Sequence, residues 1–361
     1  MSTWKNKLSL SIFGASHEPE IGMTLEGLPA GFEIDFNELQ QFLDRRAPGK
    51  NDWSTTRVEA DIPEFLSGLD GAVTEGSVVK AVIKNKDVRS NHYDNLKTVP
   101  RPGHADYPAY VKYGGGMNMA GGGPFSGRMT APLCIAGGIA RQVLAEKNIF
   151  IGAHIASIGG IFAQGFCPLN VEKDQFETVA KKDFPVIDDE IGADMQALIA
   201  EVRADGDSVG GMIECAVIGL PVGLGGALFD GLESRMAALI FGIPGVRGIE
   251  FGAGFGAAMM LGSEHNDEYC FDNEKVVTTK NDHGGVLGGM ATGMPLMFNV
   301  AIKPTSSIAK PQTSVDLVTG ETVALEIAGR HDPCIVPRAV PVVEAAAAIC
   351  VLDLLLEAEL F

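Results

Sequence analysis

Alternating apolar and polar positions mark two early strands. Leu8, Leu10 and Ile12 alternate with Ser9 and Ser11 in KLSLSIFG (7–14), and IGMTLEGL (21–28) alternates in part. The period then changes. In DFNELQQFLDRR (35–46), Phe36, Leu39 and Leu43 share one helical face, Asp35 stands at the N-cap, and Arg45 and Arg46 close the last turn; this predicts an amphipathic helix. SVVKAVIKN (77–85) and GGMIECAVIGLP (210–221) read as strands. APLCIAGGIARQVLAEKN (131–148) is apolar almost all round, as a buried helix is. DDEIGADMQALIAEVRADGD (188–207) reads as an exposed helix with an acidic start. GLESRMAALIFGIPG (231–245) and AVPVVEAAAAICVLDLLLEAEL (339–360) read as two more helices.

Two of these units echo each other. GMTLEGLPAGF (22–32) and GMIECAVIGLPVGL (211–224) each run from a strand through G-L-P-x-G to a helix and then to a Pro-Gly pair, Pro48-Gly49 and Pro244-Gly245. An internal duplication with a pseudo-twofold core would produce this pattern, and so would chance in a glycine-rich chain. No Ser-, Pro- or charge-rich linker divides the sequence. The expected architecture is therefore α+β, a single large domain over 1–361 in which helices and sheets share one core.

Composition narrows the function. The chain has 361 residues, 46% of them hydrophobic, which is enough for a large core. No signal peptide is visible, since Lys5 and Lys7 are followed only by a short apolar stretch, and no apolar run of about 18 residues suggests a membrane span. The six cysteines are scattered without a C-x-x-C pair, so buried free thiols in a reducing cytoplasm are expected rather than disulfides or zinc. With 46 acidic against 28 basic residues, a net charge of -18, the chain lacks the basic face a nucleic-acid binder needs. A small anionic ligand remains open, and any cluster of cations must form against the average field. The 45 glycines fall in short clusters inside ordered sequence rather than in filler.

Six segments could carry chemistry. RPGHAD (101–106) holds Arg101, His104 and Asp106 in a Pro-Gly turn, either a solvated loop or a site that binds an anion and moves a proton. GASHEPEIG (14–22) puts Ser16 and His17 at a strand end, where an imidazole can transfer protons or simply face water; no G-x-S-x-G elbow supports a hydrolase. GGGPFSGRMT (121–130) sets three glycines before Ser126 and Arg128 at a helix start, a cradle for phosphate or a cofactor, though neither a P-loop nor G-x-G-x-x-G. NDHGGVLGGMATG (281–293) and AIKPTSSI (301–308) combine glycine platforms with Lys303, Thr305, Ser306 and Ser307, a set that suits a phosphate monoester such as the tail of a flavin mononucleotide. GRHDPCIVPRAVPVVEA (329–345) groups Arg330, His331, Asp332 and Arg338, able to hold a dianion or to form a structural ion pair. Together they describe phosphate chemistry with acid–base help. Residue types alone do not specify the reaction.

Taken in order, SIFGASH, GLPAG, RRAPG, VIKNKDVRSNHY, RPGHADY, GGGPFSGR, FGIPGVRGIEFG, NDHGGVLGG, KPTSSI and GRHDPCIVPRAVPVVEA resemble the chorismate synthase family essentially end to end. The resemblance implies a β-α-β sandwich and a homotetramer. It implies a carbon–oxygen lyase that converts 5-enolpyruvylshikimate 3-phosphate to chorismate by anti 1,4-elimination of phosphate. Reduced FMN is the implied cofactor and NADPH an external reductant. Carried over residue by residue, it implies His17 as an acid near the leaving phosphate, His104 beside the reduced flavin ring, and Asp332 in removal of the ring proton. Arg46, Arg128 and Arg338 match substrate-anion positions, and Ser126, Pro244, Gly245, Gly288, Lys303, Pro304, Thr305, Ser306, Ser307 and Arg330 match flavin contacts. The chain departs from the family pattern at Ala15, Glu18 and Asp52, where glutamate, glycine and arginine are usual. A flavin-binding oxidoreductase or bifunctional paralogue is the competing reading.

Overall fold

The structure, a computed structural model, describes residues 1–49, 53–55, 59–86, 96, 98–116, 119–327 and 331–360. Its core is two five-stranded antiparallel sheets. The first contains β1 (Ser2–Lys5), β2 (Ser9–Gly14), β3 (Glu20–Glu26), β4 (Glu64–Ser67) and β7 (Val79–Lys84) in the order β1-β2-β3-β7-β4. The second contains β8 (Phe150–Ile158), β9 (Ile161–Phe162), β10 (Gly211–Ile218), β11 (Val246–Phe251) and β16 (Leu296–Ile302) in the order β11-β16-β10-β8-β9. Small hairpins β5–β6 (Leu69–Asp70, Val73–Thr74), β12–β13 (Tyr269–Asp272, Lys275–Thr278), β14–β15 (Val286–Leu287, Met290–Ala291) and β17–β18 (Gln312–Val315, Thr322–Leu325) lie outside these sheets.

Eight α-helices accompany them among the described residues: α1 (Phe36–Arg46), α2 (Asp106–Tyr113), α3 (Thr130–Ala145), α4 (Lys173–Ala180), α5 (Asp189–Ala204), α6 (Leu232–Ile240), the single turn α7 (Gly262–His265) and α8 (Val336–Glu357). Asp35 caps α1 as its sequence predicts, accepting from the amides of Asn37 and Glu38. α3 packs on β2, β3 and β7; α8 packs on β8 and β10; and the two helices pack on each other. The result is sheet, helix layer, sheet.

The repeat is real at the level of topology. The first half runs β2, β3, α1, β4, β7, α3, and the second runs β8, β10, α6, β11, β16, α8. Each sheet places these strands in the same spatial order, β2-β3-β7-β4 and β8-β10-β16-β11. Both G-L-P-x-G turns therefore leave the central strand of a sheet for the helix that follows.

Three sequence expectations need correction. Helix α8 is long and apolar enough to cross a membrane, contrary to the reading that no such run exists, but 94% of its apolar window is buried in the core. Cys134, Cys215, Cys334 and Cys350 are buried free thiols, whereas Cys167 and Cys270 are exposed. Strand β8 escaped the pattern because it is buried almost throughout, so its apolar run does not alternate.

The layer is tightest where α3 crosses α8. A Cβ on Gly137 would lie 2.3 Å from both Cα and Cβ of Ala345, so the two backbones are in direct contact. Ala345 to Ala348 are fully buried, and their small side chains permit this approach. Gly137→Ala is expected to cost about 1–3 kcal/mol in urea unfolding, whereas Gly256→Ala, which meets nothing within 4 Å, is expected to be neutral.

Candidate active site

A cleft of about 240 Å³ opens where the duplicated helices begin and end. Its lining includes Thr130 at the start of α3, and Ile335, Arg338, Ala339 and Val342 at the start of α8. Pro48, just after α1, and Ile243, Pro244 and Gly245, just after α6, line it as well. Two long helices thus aim their positive N-terminal ends at one space, an arrangement that favours an anion.

The glycine run forms the wall between two histidines. Gly121, Gly122 and Gly123 all have positive φ (62°, 93° and 53°), a conformation that a β-carbon disfavours. A Cβ on Gly121 would stand 2.1 Å from His17 Cε1, and one on Gly122 would stand 3.2 Å from His104 Nε2. The amide of Ser16 donates to Gly123 O at 3.2 Å, tying the His17 turn to the run.

His104 is held from behind. Its Nδ1 lies 2.6 Å from Asp106 Oδ1, a distance that puts the proton on Nδ1 and leaves Nε2 as the exchangeable atom. Arg101 grips the same carboxylate through Nε at 2.7 Å and Nη2 at 2.8 Å, and its Nη1 donates to Ser307 Oγ at 3.2 Å. Burial opposes ionisation of Asp106, but the hydrogen bonds from Arg101 and His104 prevail and hold its carboxyl well below the usual range. His331 is also pushed down, to about 4, by burial and by the Arg101 charge, which for an imidazole favours the neutral form. It is therefore a neutral imidazole, and its Nε2 is buried without a hydrogen bond.

Opposite lies a guanidinium cluster. Arg46, only 1% exposed, donates from Nε to Asp61 Oδ2 at 2.8 Å and from Nη1 to Thr130 Oγ1 at 3.1 Å. Arg128 hydrogen-bonds Asp61 Oδ1 through Nη1 and Asn85 Oδ1 through Nε at 3.0 Å, while its Nη2 is buried without a hydrogen bond. Arg338 donates from Nη1 to Asp332 Oδ2 at 2.6 Å, and Asp332 Oδ1 accepts from the Thr55 amide at 2.9 Å. Burial weakens the hold of Arg128 and Arg338 on their protons, partly offset by Asp61 and Asp332 respectively. Along the third side, Lys303 and Ser306 both donate to Gly103 O, and Thr305 Oγ1 is buried without a partner. Burial and the neighbouring Arg247 charge lower the Lys303 ammonium from its ordinary value. Among the described residues the lining carries Arg46, Arg101, Arg128, Lys303 and Arg338 against the single carboxylate Asp332.

A sequence profile described as chorismate synthase matches residues 8–356. The chain belongs to the chorismate synthase family. A chorismate synthase of Lancefieldella parvula is 44% identical over 98% of this chain and 96% of its own length. One of Thermococcus kodakarensis is also 44% identical, covering 97% and 96%. A solved structure titled "Crystal Structure of Chorismate Synthase" superposes with a TM-score of 0.78 at 27% identity, covering 97% of this chain and 92% of that one. The family's carbon–oxygen lyase activity is accordingly the function of this chain, and the oxidoreductase reading is not favoured.

Most residues matched to the chorismate synthase pattern meet in the cleft: His17, His104, Asp332, Arg46, Arg128, Arg338, Ser126, Pro244, Gly245 and Lys303 to Ser307 all line it. Gly288 does not; it sits exposed in the β14–β15 turn, where a Cβ would meet nothing within 4 Å. Arg330 and Asp52 lie outside the described residues. Of the departures from the family pattern, Ala15 is buried and Glu18 is exposed. Arg45, beside Arg46, faces away and makes a two-pronged pair with Glu344 at 2.7 Å. Sequence reasoning missed Asp61 and Asn85. Asn85 donates to Glu18 O at 2.7 Å while accepting from Arg128, so it links the His17 turn to the guanidiniums. Asp61 stands in no glycine or arginine motif, which was the available signal, and Asn85 lies in VIKNKDVRSNHY without having been singled out there.

The glycine wall makes a direct prediction. Gly121→Ala would push the new methyl into the His17 ring, so turnover is expected to fall about 100-fold while unfolding costs about 1–3 kcal/mol. Steady-state assays and denaturation on one preparation would measure both.

Proposed function

We propose that this cleft performs the chorismate synthase elimination on 5-enolpyruvylshikimate 3-phosphate with bound reduced FMN. The observation that carries this reading is the convergence, among the described residues, of three histidines, one carboxylate and five cations on one space. A dianionic phosphate beside an anionic cofactor requires such a surplus of positive charge. The lining also suits a flat phosphorylated cofactor. Thr305 Oγ1 lacks a partner, Lys303, Ser306 and Ser307 supply a cation and hydroxyls, and Gly245 leaves space, since a Cβ there would find only Ile302 Cγ2, at 3.8 Å. When bound, reduced flavin supplies electron density transiently as phosphate leaves and recovers it as the ring proton departs.

The chain's own groups then take separate roles. Arg46, Arg128 and Arg338 bind the substrate's anionic groups, with the N-termini of α3 and α8 adding to the field. His17 donates a proton to the leaving phosphate. His104, its Nδ1 proton fixed on Asp106, offers Nε2 to the cofactor ring. Asp332 assists removal of the ring proton, its carboxylate held by Arg338 and the Thr55 amide. Arg330 and Gly288 belong to this reading only as positions matched to the family's flavin contacts, and Gly288 lies outside the cleft lining. The homotetramer follows the same reading, supported by Leu228, Phe229, Phe255, Met259 and Phe271, which stand 78–89% exposed. We assign the protein to the cytoplasm, with NADPH as the external source of reducing equivalents.

Anaerobic turnover with reduced FMN tests this reading. Chorismate and phosphate are expected to appear in equal amounts, with no product when reduced flavin is omitted. His17→Ala and His104→Ala are each expected to lower kcat by about 10²–10⁴-fold. Flavin binding without phosphate release would reject it.

A further inference from the structure

Asp61 does not line the cleft, yet it touches two of the arginines that do. It is 1% exposed and adopts the left-handed region, with φ 46°. Asp is among the few residues that tolerate this conformation. Its Oδ2 accepts from Arg46 Nε at 2.8 Å and lies 2.6 Å from Arg46 Nη2 as an ion pair, and its Oδ1 accepts from Arg128 Nη1. Both guanidiniums therefore spend one edge on a single buried carboxylate. A second carboxylate stands further back, with Glu59 Oε2 3.9 Å from Arg128 Nη2. Burial opposes ionisation of Asp61, but the Arg46 and Arg128 charges outweigh it and keep the carboxyl below its ordinary range.

We propose that Asp61 is a positioning residue, an internal anion that fixes Arg46 and Arg128 toward the cleft and cancels one of their two charges. The proposal rests on the reading of these arginines as substrate-anion ligands. It gives the carboxylate two consequences. The guanidiniums present fixed donors to the phosphoryl group, so the substrate is held in one orientation. Asp61 also lowers by one the positive charge that the pair presents, so inorganic phosphate leaves after the C–O bond breaks. An asparagine at this position accepts from one guanidinium and turns an N–H donor toward the other, which frees that arginine to follow an anion.

The test uses the holoprotein saturated with FMN, so that the Lys303–Ser307 side is filled, and inorganic phosphate as the probe. In Asp61→Asn, phosphate is expected to bind about tenfold tighter at low salt. Its kcat is expected to fall about a hundredfold with no rise in KM. Asp61→Glu restores the charge and is expected to return phosphate affinity to within twofold of the parent. If Asp61→Asn does not fold, Asp61→Gly removes the carboxylate while relaxing the left-handed backbone, and the same shift in affinity is expected. Unchanged phosphate affinity and kcat in the folded variants would overturn the proposal. Weaker phosphate binding in them would do so too. Arg128→Met separates the two levels. If it leaves phosphate affinity unchanged, the anion-site reading itself fails; if it weakens affinity while Asp61→Asn does not change it, only the role of Asp61 fails.

Discussion

The contact between α3 and α8 at Gly137 and Ala345 organises the molecule. The two helices belong to equivalent positions of a duplicated unit, and each carries its own sheet. Bringing their backbones into contact joins the two sheets through one helix layer and sets both helix N-termini side by side. The cleft forms at that junction. Its walls come from the segments that enter these helices, Ser126 to Thr130 and Asp332 to Ile335, and from the Pro-Gly turns that leave α1 and α6. Duplication thus supplies the scaffold, and the unlike residues of the two halves supply the chemistry.

Electrostatics explains why the site can exist in so acidic a chain. The lining gathers five cations where the net charge of the sequence is -18. Such a cluster repels itself unless counter-charges are built in. Two buried carboxylates, Asp61 and Asp106, stand behind the lining and bind the arginines from the side away from the ligand. Each also aligns a functional group, the guanidinium pair in one case and the His104 imidazole in the other. The site keeps its positive face for an anion while its geometry remains fixed.

Much of this was legible in the sequence, for identifiable reasons. The helix over 35–46 was readable because Asp35 caps it and Leu39 and Leu43 are buried, although Phe36, placed on the same face by its spacing, is exposed and Phe42 is buried instead. The echo between 22–32 and 211–224 was visible because both turns need the same Gly-Leu-Pro chemistry. The clustered motifs were visible because glycines, histidines and arginines at a site come in short runs. What was hidden is of two kinds. Strand β8 is buried on both faces and loses the alternation that marks a half-exposed strand. Asp61 and Asn85 act through contacts 67 and 43 residues away on Arg128, which no local pattern records. The exposed setting of Gly288 likewise depends on how its hairpin packs, not on its motif.

The most direct measurement is a crystal structure of the protein with 5-enolpyruvylshikimate 3-phosphate and oxidised FMN bound together. The substrate's anionic groups are expected on Arg46, Arg128 and Arg338, with its phosphate beside His17. The flavin phosphate is expected along Lys303 to Ser307 and the flavin ring against His104. A substrate phosphate bound away from the three arginines, or a flavin outside the cleft between α3 and α8, would contradict this arrangement.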